Sequence, residues 1–323
     1  MKRINSILAL VLVLTTLLTA CAPAVNAPET TEATQMKNIY QKSDPSQDDT
    51  LNILMIGNSL CYYYVEELYG MLNAAGIKAN VCNIYYSGCT VKQHWTWWKN
   101  NESNYDFYIT NDSGRVKTEG TNLEWCLQQQ NWDVISLQES NSAFYNGDTA
   151  KQLEASKPWR TELLSYIKEQ FPMSRHLWHQ QWSRQIGTTS SGFVIESAEQ
   201  QQSDSDRIRE YAIAVCEEQN LERVNCGEAW QIVRKEHGYD NLCARIGKGE
   251  NHEGDKAHDG DWGGGQYLNA CVWFEVITGQ SCVGNTYRPL YLAGSADLSL
   301  SEEMIQMLQE SAHKAVEQMK TES

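Results

Sequence analysis

The chain has 323 residues, of which 41% are hydrophobic and 10% aromatic, enough for one large globular domain or two small ones. Its formal net charge is −15 at pH 7. Because nucleic-acid binding needs clustered Lys and Arg to neutralise phosphates, this charge argues against a nucleic-acid partner.

The first 50 residues predict an export signal followed by a tether. Lys2 and Arg3 precede the apolar run ILALVLVLTTLL, and the stretch LTAC that ends at Cys21 resembles a bacterial lipobox, whose cysteine carries the lipid. We therefore expect a lipoprotein signal peptide over residues 1–20 and a membrane anchor at Cys21, outside the cytoplasmic membrane or in the envelope. The alternative is an ordinary secretory signal with a chance cysteine. Residues 21–50 are rich in Ala, Thr, Glu, Pro and Ser, which predicts a disordered tether.

Strands and helices alternate from residue 51 onward. LNILMIGNSL predicts a first strand and turn, VEELYGMLNAAG a helix, and KANVCNIYYSG a second strand that ends at Gly88. An insertion over about 89–130 contains HWTWWKN and a hairpin that turns at Asp112-Ser113-Gly114. WDVISLQES predicts the third strand.

The second half continues the same alternation. It predicts a helix over Pro158–Phe171, a strand in SRHLWHQQW, a helix in SDRIREYAIAVCEEQNL, a short strand in ERVNCG, a helix in GQYLNACVWFEVITGQ, and a last helix over about 301–319 capped by Ser299. This order predicts one domain over residues 51–323, a three-layer α/β/α sandwich with a mostly parallel sheet. Ligands of such sheets bind beyond the carboxyl ends of the strands.

Ser59 follows the first strand where a helix begins, so its hydroxyl is expected at the sheet edge and its backbone N–H at a helix N-terminus. This placement suits a nucleophile. The alternative is an ordinary helix-capping serine. Cys61 is a weaker candidate nucleophile, since it faces elsewhere two positions later and buried cysteines are usually inert.

The stretch GDKAHDGDWGGGQYL contains the candidate base, His258, three residues after Asp255. This spacing lets the carboxylate orient the imidazole. The alternative is a solvated acidic loop or a calcium loop that uses Asp255, Asp259 and Asp261. The full calcium-loop spacing is missing and no CxxC pair occurs among the ten cysteines, so no metal is predicted.

Gly57-Asn58-Ser59, Gly88 after the second strand, a polar end to the third strand and Asp255-x-x-His258 together resemble the SGNH (GDSL-like) hydrolase superfamily. The resemblance covers about 51–319 and implies a flavodoxin-like fold without a cofactor. It implies Ser59 as nucleophile, His258 as general base and Asp255 as orienting acid, with the backbone N–H groups of Ser59 and Gly88 in the oxyanion hole.

The third block departs from the superfamily pattern. Where most members have Gly-x-Asn-Asp, this chain has LQESNS. Gln138 is the first choice for the side-chain oxyanion donor and Asn141 the second. A block of this type resembles an uncharacterised, domain-of-unknown-function branch of these hydrolases.

Trp95, Trp97 and Trp98 follow the second strand and suit stacking on sugar rings, or alternatively closure of the core under the insertion. The resemblance and these tryptophans predict a serine esterase that removes acetyl groups from carbohydrate. Two alternatives are a non-catalytic glycan-binding lipoprotein on the same fold and a lipase or thioesterase. The oligomeric state is not predicted.

Overall fold

A computed structural model describes residues 49–140, 148–187, 189–190, 193–238, 264–289, 292–293, 296–297 and 300–322. Its main feature is a seven-stranded sheet in the order β4-β3-β2-β1-β5-β6-β9. The strands are β1 Leu51–Gly57, β2 Ala79–Tyr85, β3 Tyr105–Asn111, β4 Gly114–Thr121, β5 Val134–Leu137, β6 Arg175–Gln180 and β9 Glu222–Asn225. Two short ribbons stand apart from it, formed by β7 Thr189–Ser190 with β8 Phe193–Val194 and by β10 Leu292–Ala293 with β11 Ala296–Asp297.

Five neighbouring strands are parallel, β2, β1, β5, β6 and β9, and β1 is the fourth of the seven strands in the sheet. It pairs with β2 on one side and with β5 on the other. Ile53 and Met55 point to one face and Leu54 and Ile56 to the other, and all four are fully buried. A parallel strand covered on both faces is expected to be apolar at successive positions, as this one is.

Helices cover both faces of the sheet. On one face lie α1 Val65–Ala74, α6 Cys226–His237, α7 Gly264–Thr278 and α8 Glu302–Glu322. On the other lie α2 Val91–Lys99, α3 Leu123–Leu127, α4 Thr149–Gln170 and α5 Ala198–Gln219. The predicted three-layer α/β/α fold with a mostly parallel sheet is confirmed.

The insertion extends the sheet at one edge. The predicted hairpin is β3 and β4, which are antiparallel to each other, and β3 is antiparallel to β2. The turn between the two strands holds Asp112 and Ser113, as the sequence indicated. Helix α2 begins the insertion, and Thr90 and Gln93 form its capping box.

Several helices differ from the sequence predictions. Helix α4 begins at Thr149 rather than Pro158, because the Asp148 carboxylate accepts hydrogen bonds from the first turn at 2.8 and 3.3 Å and Pro158 lies inside the helix. Helices α2, α3 and α6 were not predicted. The cap of α8 is Ser301 rather than Ser299, since the Ser301 hydroxyl accepts from the Met304 N–H at 3.2 Å.

Within the described residues, no helix combines the length and the apolar composition needed to span a bilayer. The eight cysteines in this part of the chain are all free thiols. The core of the described domain therefore depends on packing rather than on cross-links. The predicted signal peptide, the tether and Cys21 lie outside the described residues.

Candidate active site

The strand order places the candidate site at the carboxyl end of β1. The chain leaves β1 for β2 on one side and later returns to β5 on the other side of β1. In doubly wound sheets, ligands bind in the crevice where the strand order reverses in this way. The residues directly after β1, β2 and β5 are therefore the ones that such a crevice would present.

Ser59 is the first residue of a single 3₁₀ turn, Ser59–Cys61, that follows β1. Asn58 caps the turn, because its Oδ1 accepts a hydrogen bond from the Leu60 N–H at 3.0 Å. The Cys61 N–H also donates to the Asn58 carbonyl at 3.1 Å. Ser59 is 7% exposed and directly follows the end of β1, as predicted. Helix α1 begins only at Val65, so the Ser59 N–H belongs to this 3₁₀ turn and not to the helix N-terminus that the sequence predicted. The role of Ser59 as nucleophile stays a prediction.

Asn58 joins the three strand ends. Its Nδ2 donates to the Cys89 carbonyl in the loop after β2 at 3.0 Å, and its Oδ1 accepts from Gln138 Nε2 after β5 at 3.1 Å. The carboxamide thus serves at once as donor and acceptor, which a carboxylate does not do. The sequence reasoning gave Asn58 no role of its own.

Gly88 lies in the loop tied down by Asn58. The Cys89 N–H donates to the Tyr86 carbonyl at 3.2 Å, which closes a four-residue turn. Gly88 has φ +68° in this turn, a conformation that other residues adopt at a cost. Its exposed backbone lies at the same edge as Ser59, and its role as an oxyanion donor stays a prediction.

Gln138 is fully buried directly after β5, and its Nε2 donates to Asn58 Oδ1 and to the Glu139 carbonyl, the latter at 2.9 Å. Both N–H groups of the carboxamide are therefore engaged inside the protein. A role as oxyanion donor would need one of these bonds to be exchanged for a bond to substrate. That role stays a prediction, and Asn141 lies outside the described residues.

Glu139 is a buried carboxyl group that links the loops around the site. Its Oε1 accepts from the Val91 N–H at 3.1 Å and from the Ser140 N–H at 2.8 Å, and its carbonyl accepts from Gln181 Nε2 at 2.9 Å. Burial raises the pKa of Glu139 to about 7, against the lowering effect of the two N–H groups and of the Arg160 charge. No function was predicted for this residue.

His94 is a second buried ionisable group beside the turn, close to the backbone of Gly57. Its Nδ1 lies 2.9 Å from the Tyr105 hydroxyl. Burial lowers the pKa of His94 to about 3, so the ring stays neutral at pH 7 and packs as part of the core. Sequence alone offered no signal for this burial.

Cys61 is the rival nucleophile within the described turn. It is fully buried, and its Sγ lies 3.3 Å from the Asn58 carbonyl. Burial raises the pKa of its thiol to about 12, so the thiolate is not populated at pH 7. This environment favours packing rather than catalysis for Cys61.

The three predicted sugar-stacking tryptophans lie on α2 and are partly buried against the core. Trp95 Nε1 donates to Glu162 on α4 at 2.7 Å, and Trp98 stacks on Tyr166 of the same helix at a centroid distance of 4.4 Å. These contacts favour the structural alternative for Trp95 and Trp98. Trp97 differs, because its ring contacts Tyr86 after β2.

A cavity of about 640 Å³ lies at the amino end of β9, where Leu221 and Glu222 are among its lining residues. Its only thiol belongs to Cys216, and burial raises the pKa of that group to about 12. No group of three or more potential metal ligands was found among the described residues. The candidate site stays at the carboxyl ends of β1, β2 and β5, where Ser59 and Gly88 lie. His258 and Asp255 lie outside the described residues, and their roles stay predictions.

A family model for a domain of unknown function, DUF4886, matches residues 52–301. The chain belongs to the DUF4886 family. A DUF4886 protein from Bacteroides uniformis has the same fold, with a TM-score of 0.66 and 24% identity over 83% of this chain and 95% of that one. No curated protein matches the chain.

Two further solved structures are similar to this chain at lower TM-scores. A putative GDSL-like lipase from Parabacteroides merdae has a TM-score of 0.42 and 16% identity, covering 70% of this chain and 94% of that one. An acetylxylan esterase from Geobacillus stearothermophilus has a TM-score of 0.43 and 15% identity, covering 71% and 94%.

Proposed function

We propose that this protein is a serine esterase that removes acetyl groups from carbohydrate through an acyl-enzyme. The observation that carries the proposal is the position of Ser59, on a capped turn at the reversal point of the sheet, with Asn58 joined to the ends of β2 and β5. Such a turn holds a hydroxyl in one place relative to the neighbouring backbone N–H groups. Fixed geometry of this kind is what nucleophilic catalysis needs.

The proposed reaction has two steps. Ser59 Oγ attacks the ester carbonyl while His258 takes its proton, and the oxygen that becomes negative is stabilised by the backbone N–H groups of Ser59 and Gly88. The tetrahedral intermediate collapses, and His258 returns the proton to the sugar oxygen that leaves. Water then attacks the acetyl-enzyme with His258 as base, which releases acetate and restores Ser59. Asp255 orients His258 throughout.

Acetylated carbohydrate is proposed as the substrate on two grounds. The chain resembles a superfamily of small esterases, and aromatic side chains lie near the end of β2. We also propose export and attachment to a membrane through a lipid on Cys21, which rests on the sequence of residues 1–21. Labelling with a radioactive fatty acid should mark the wild-type chain and not Cys21→Ser.

The first test is hydrolysis of 4-nitrophenyl acetate by the full chain. Ser59→Ala and His258→Ala should each lower kcat by at least about a thousandfold, because the nucleophile and its base act together. Two matched controls are Ser113→Ala, in the exposed hairpin turn, and His237→Ala, at the exposed end of α6. Both controls should keep the wild-type rate.

Equal, slow rates in all five proteins would refute the esterase. The glycan-binding alternative would then be favoured, since it requires neither Ser59 nor His258. It predicts binding of oligosaccharide that survives both substitutions. A preference that rises with acyl chain length would instead favour the lipase or thioesterase.

A further inference from the structure

Tyr86 is an exposed aromatic ring beside the candidate nucleophile. β1 and β2 are paired in parallel with Gly57 opposite Tyr85, so Tyr86 and Ser59 follow neighbouring strand ends, which lie about 5 Å apart. Tyr86 is 43% exposed, whereas most aromatic side chains in the described part of the chain are buried or half-buried. Exposure of a large ring at this place needs a reason.

The ring of Tyr86 is held rather than loose. It makes a T-shaped contact with Trp97, with a centroid distance of 4.8 Å and an interplanar angle of 78°, and Trp97 packs in turn on Tyr105 at 5.4 Å. The Tyr86 carbonyl closes the turn that contains Gly88. The ring is therefore fixed relative to the loop proposed to hold the oxyanion.

Other tyrosines at this edge lie in closed packing. Tyr62 packs against Tyr85 at 4.5 Å, and the guanidinium of Arg115 covers the Tyr62 ring at 4.0 Å. Arg115 also contacts Tyr108 at 4.8 Å. The Tyr62 face is thus occupied by protein, while Tyr86 keeps a large part of its surface open to a ligand.

We propose that Tyr86 is a substrate-binding residue that stacks on a sugar ring of the ester substrate. This inference rests on the proposed function and adds to it the residue that recognises the sugar. A flat ring that is held by one aromatic neighbour and is 43% exposed suits stacking on the apolar face of a pyranose.

The surroundings of Tyr86 favour a sugar over an acyl chain. Ser87 and Gly88, which follow it, are exposed, and so are Lys92 and Gln93 on the first turn of α2. An acyl chain would need a contiguous apolar surface. A single ring among polar groups instead suits a ligand that has an apolar face and hydroxyl groups at its edge.

The test compares two acetate esters in the full chain. One is ethyl acetate, which has no ring, and the other is a mixture of partially acetylated xylo-, cello- and manno-oligosaccharides. In Tyr86→Ala, kcat/KM for the sugar esters should fall about fivefold more than kcat/KM for ethyl acetate, which corresponds to the loss of one stacking contact. Tyr86→Phe keeps the ring and should keep most of the wild-type ratio.

Met173→Ala is the matched control, since Met173 is 94% exposed and lies before β6 at the opposite edge of the sheet. It should leave both values unchanged. An unchanged ratio in a folded Tyr86→Ala variant would overturn the inference, as would wild-type turnover of ethyl acetate without turnover of any sugar ester. The first result leaves the proposed function standing, whereas the second would leave an esterase but refute carbohydrate as its substrate.

A binding measurement separates the two proposals further. Calorimetric titration of Ser59→Ala with the same oligosaccharides needs no turnover. Loss of affinity in Ser59→Ala/Tyr86→Ala would support the stacking role even if no ester were hydrolysed. Equal affinity in the two proteins would refute it.

Discussion

Ionisation of Glu139 should be visible in the stability of the fold. Its carboxyl group is 3% exposed and lies where the loops after β2, β5 and β6 meet. Burial raises its pKa from about 4.5 to about 7, because the charged form loses its hydration. The substitution Glu139→Gln removes this ionisation and keeps an oxygen that can accept from the Val91 and Ser140 N–H groups.

Because the pKa of Glu139 is raised in the folded state, its ionisation lowers the stability of the fold as the pH rises. A carboxyl group with a raised pKa in the folded state holds its proton more tightly when folded, so its favourable contribution is complete below the unfolded pKa and is lost as the pH rises through the folded pKa. A gap between about 4.5 and about 7 corresponds to roughly 3 kcal/mol at 1.36 kcal/mol per pKa unit. This stabilisation should be lost progressively between about pH 4.5 and about pH 7.

Two buried histidines act in the opposite direction. Burial lowers the pKa of His94 and of His179 to about 3, so their contribution is present above the unfolded pKa and is lost as the pH falls. The pH dependence of the wild type alone is therefore a sum of opposed effects. The difference between wild type and Glu139→Gln isolates the carboxyl group.

The measurement is urea unfolding of both proteins at pH 5, 6, 7 and 8. The free energy of unfolding of the wild type, minus that of Glu139→Gln, should fall by about 2 to 3 kcal/mol from pH 5 to pH 8. Gln170→Ala, an exposed change on α4 that removes no ionisable group, is the control and should give a difference that does not vary with pH. A constant difference for Glu139→Gln would refute the reasoning.

Two further substitutions test the turn after β1. In Gly57→Ala the new Cβ would lie 2.6 Å from Gln138 Oε1 and 2.9 Å from Cys61 Sγ. We therefore expect the free energy of unfolding, measured in urea, to fall by about 1–3 kcal/mol. An unchanged stability would contradict this packing. Asn58→Ala removes the cap of the 3₁₀ turn and the hydrogen bond to the Cys89 carbonyl, so the free energy of unfolding should fall by about 1–3 kcal/mol. The folded variant should also hydrolyse 4-nitrophenyl acetate with a lower kcat. A wild-type kcat would contradict the role of Asn58.

The fold could be predicted from the sequence because its signals are local. Apolar runs of strand length alternate with helical spacing, and the hairpin carries its turn residues at Asp112-Ser113-Gly114. The start of α4 was missed because Pro158 was interpreted as a helix start, although the cap at Asp148 lies ten residues earlier. Element boundaries depend on such caps more than on periodicity.

The candidate site could be predicted only in part, because its contacts connect distant positions. The place of Ser59 follows from one strand and one turn. The role of Asn58 depends on Cys89 and Gln138, which are 31 and 80 positions away in the chain. The burial of His94 likewise depends on its packing against Tyr105 and the end of β1. No pattern in a single sequence contains those distances.

The buried polar side chains that follow β5, next to the turn of Ser59, are better explained by function than by stability. Gln138 and Glu139 are buried where apolar side chains would stabilise the fold more, and Gln138 Oε1 has no hydrogen-bond partner among the described residues. The same oxygen would lie 2.6 Å from a Cβ added at Gly57, so any side chain there would have to displace it. A protein that needed only its fold would gain from replacing this network, whereas a catalyst needs it to hold the turn of Ser59 and the Gly88 loop in one geometry.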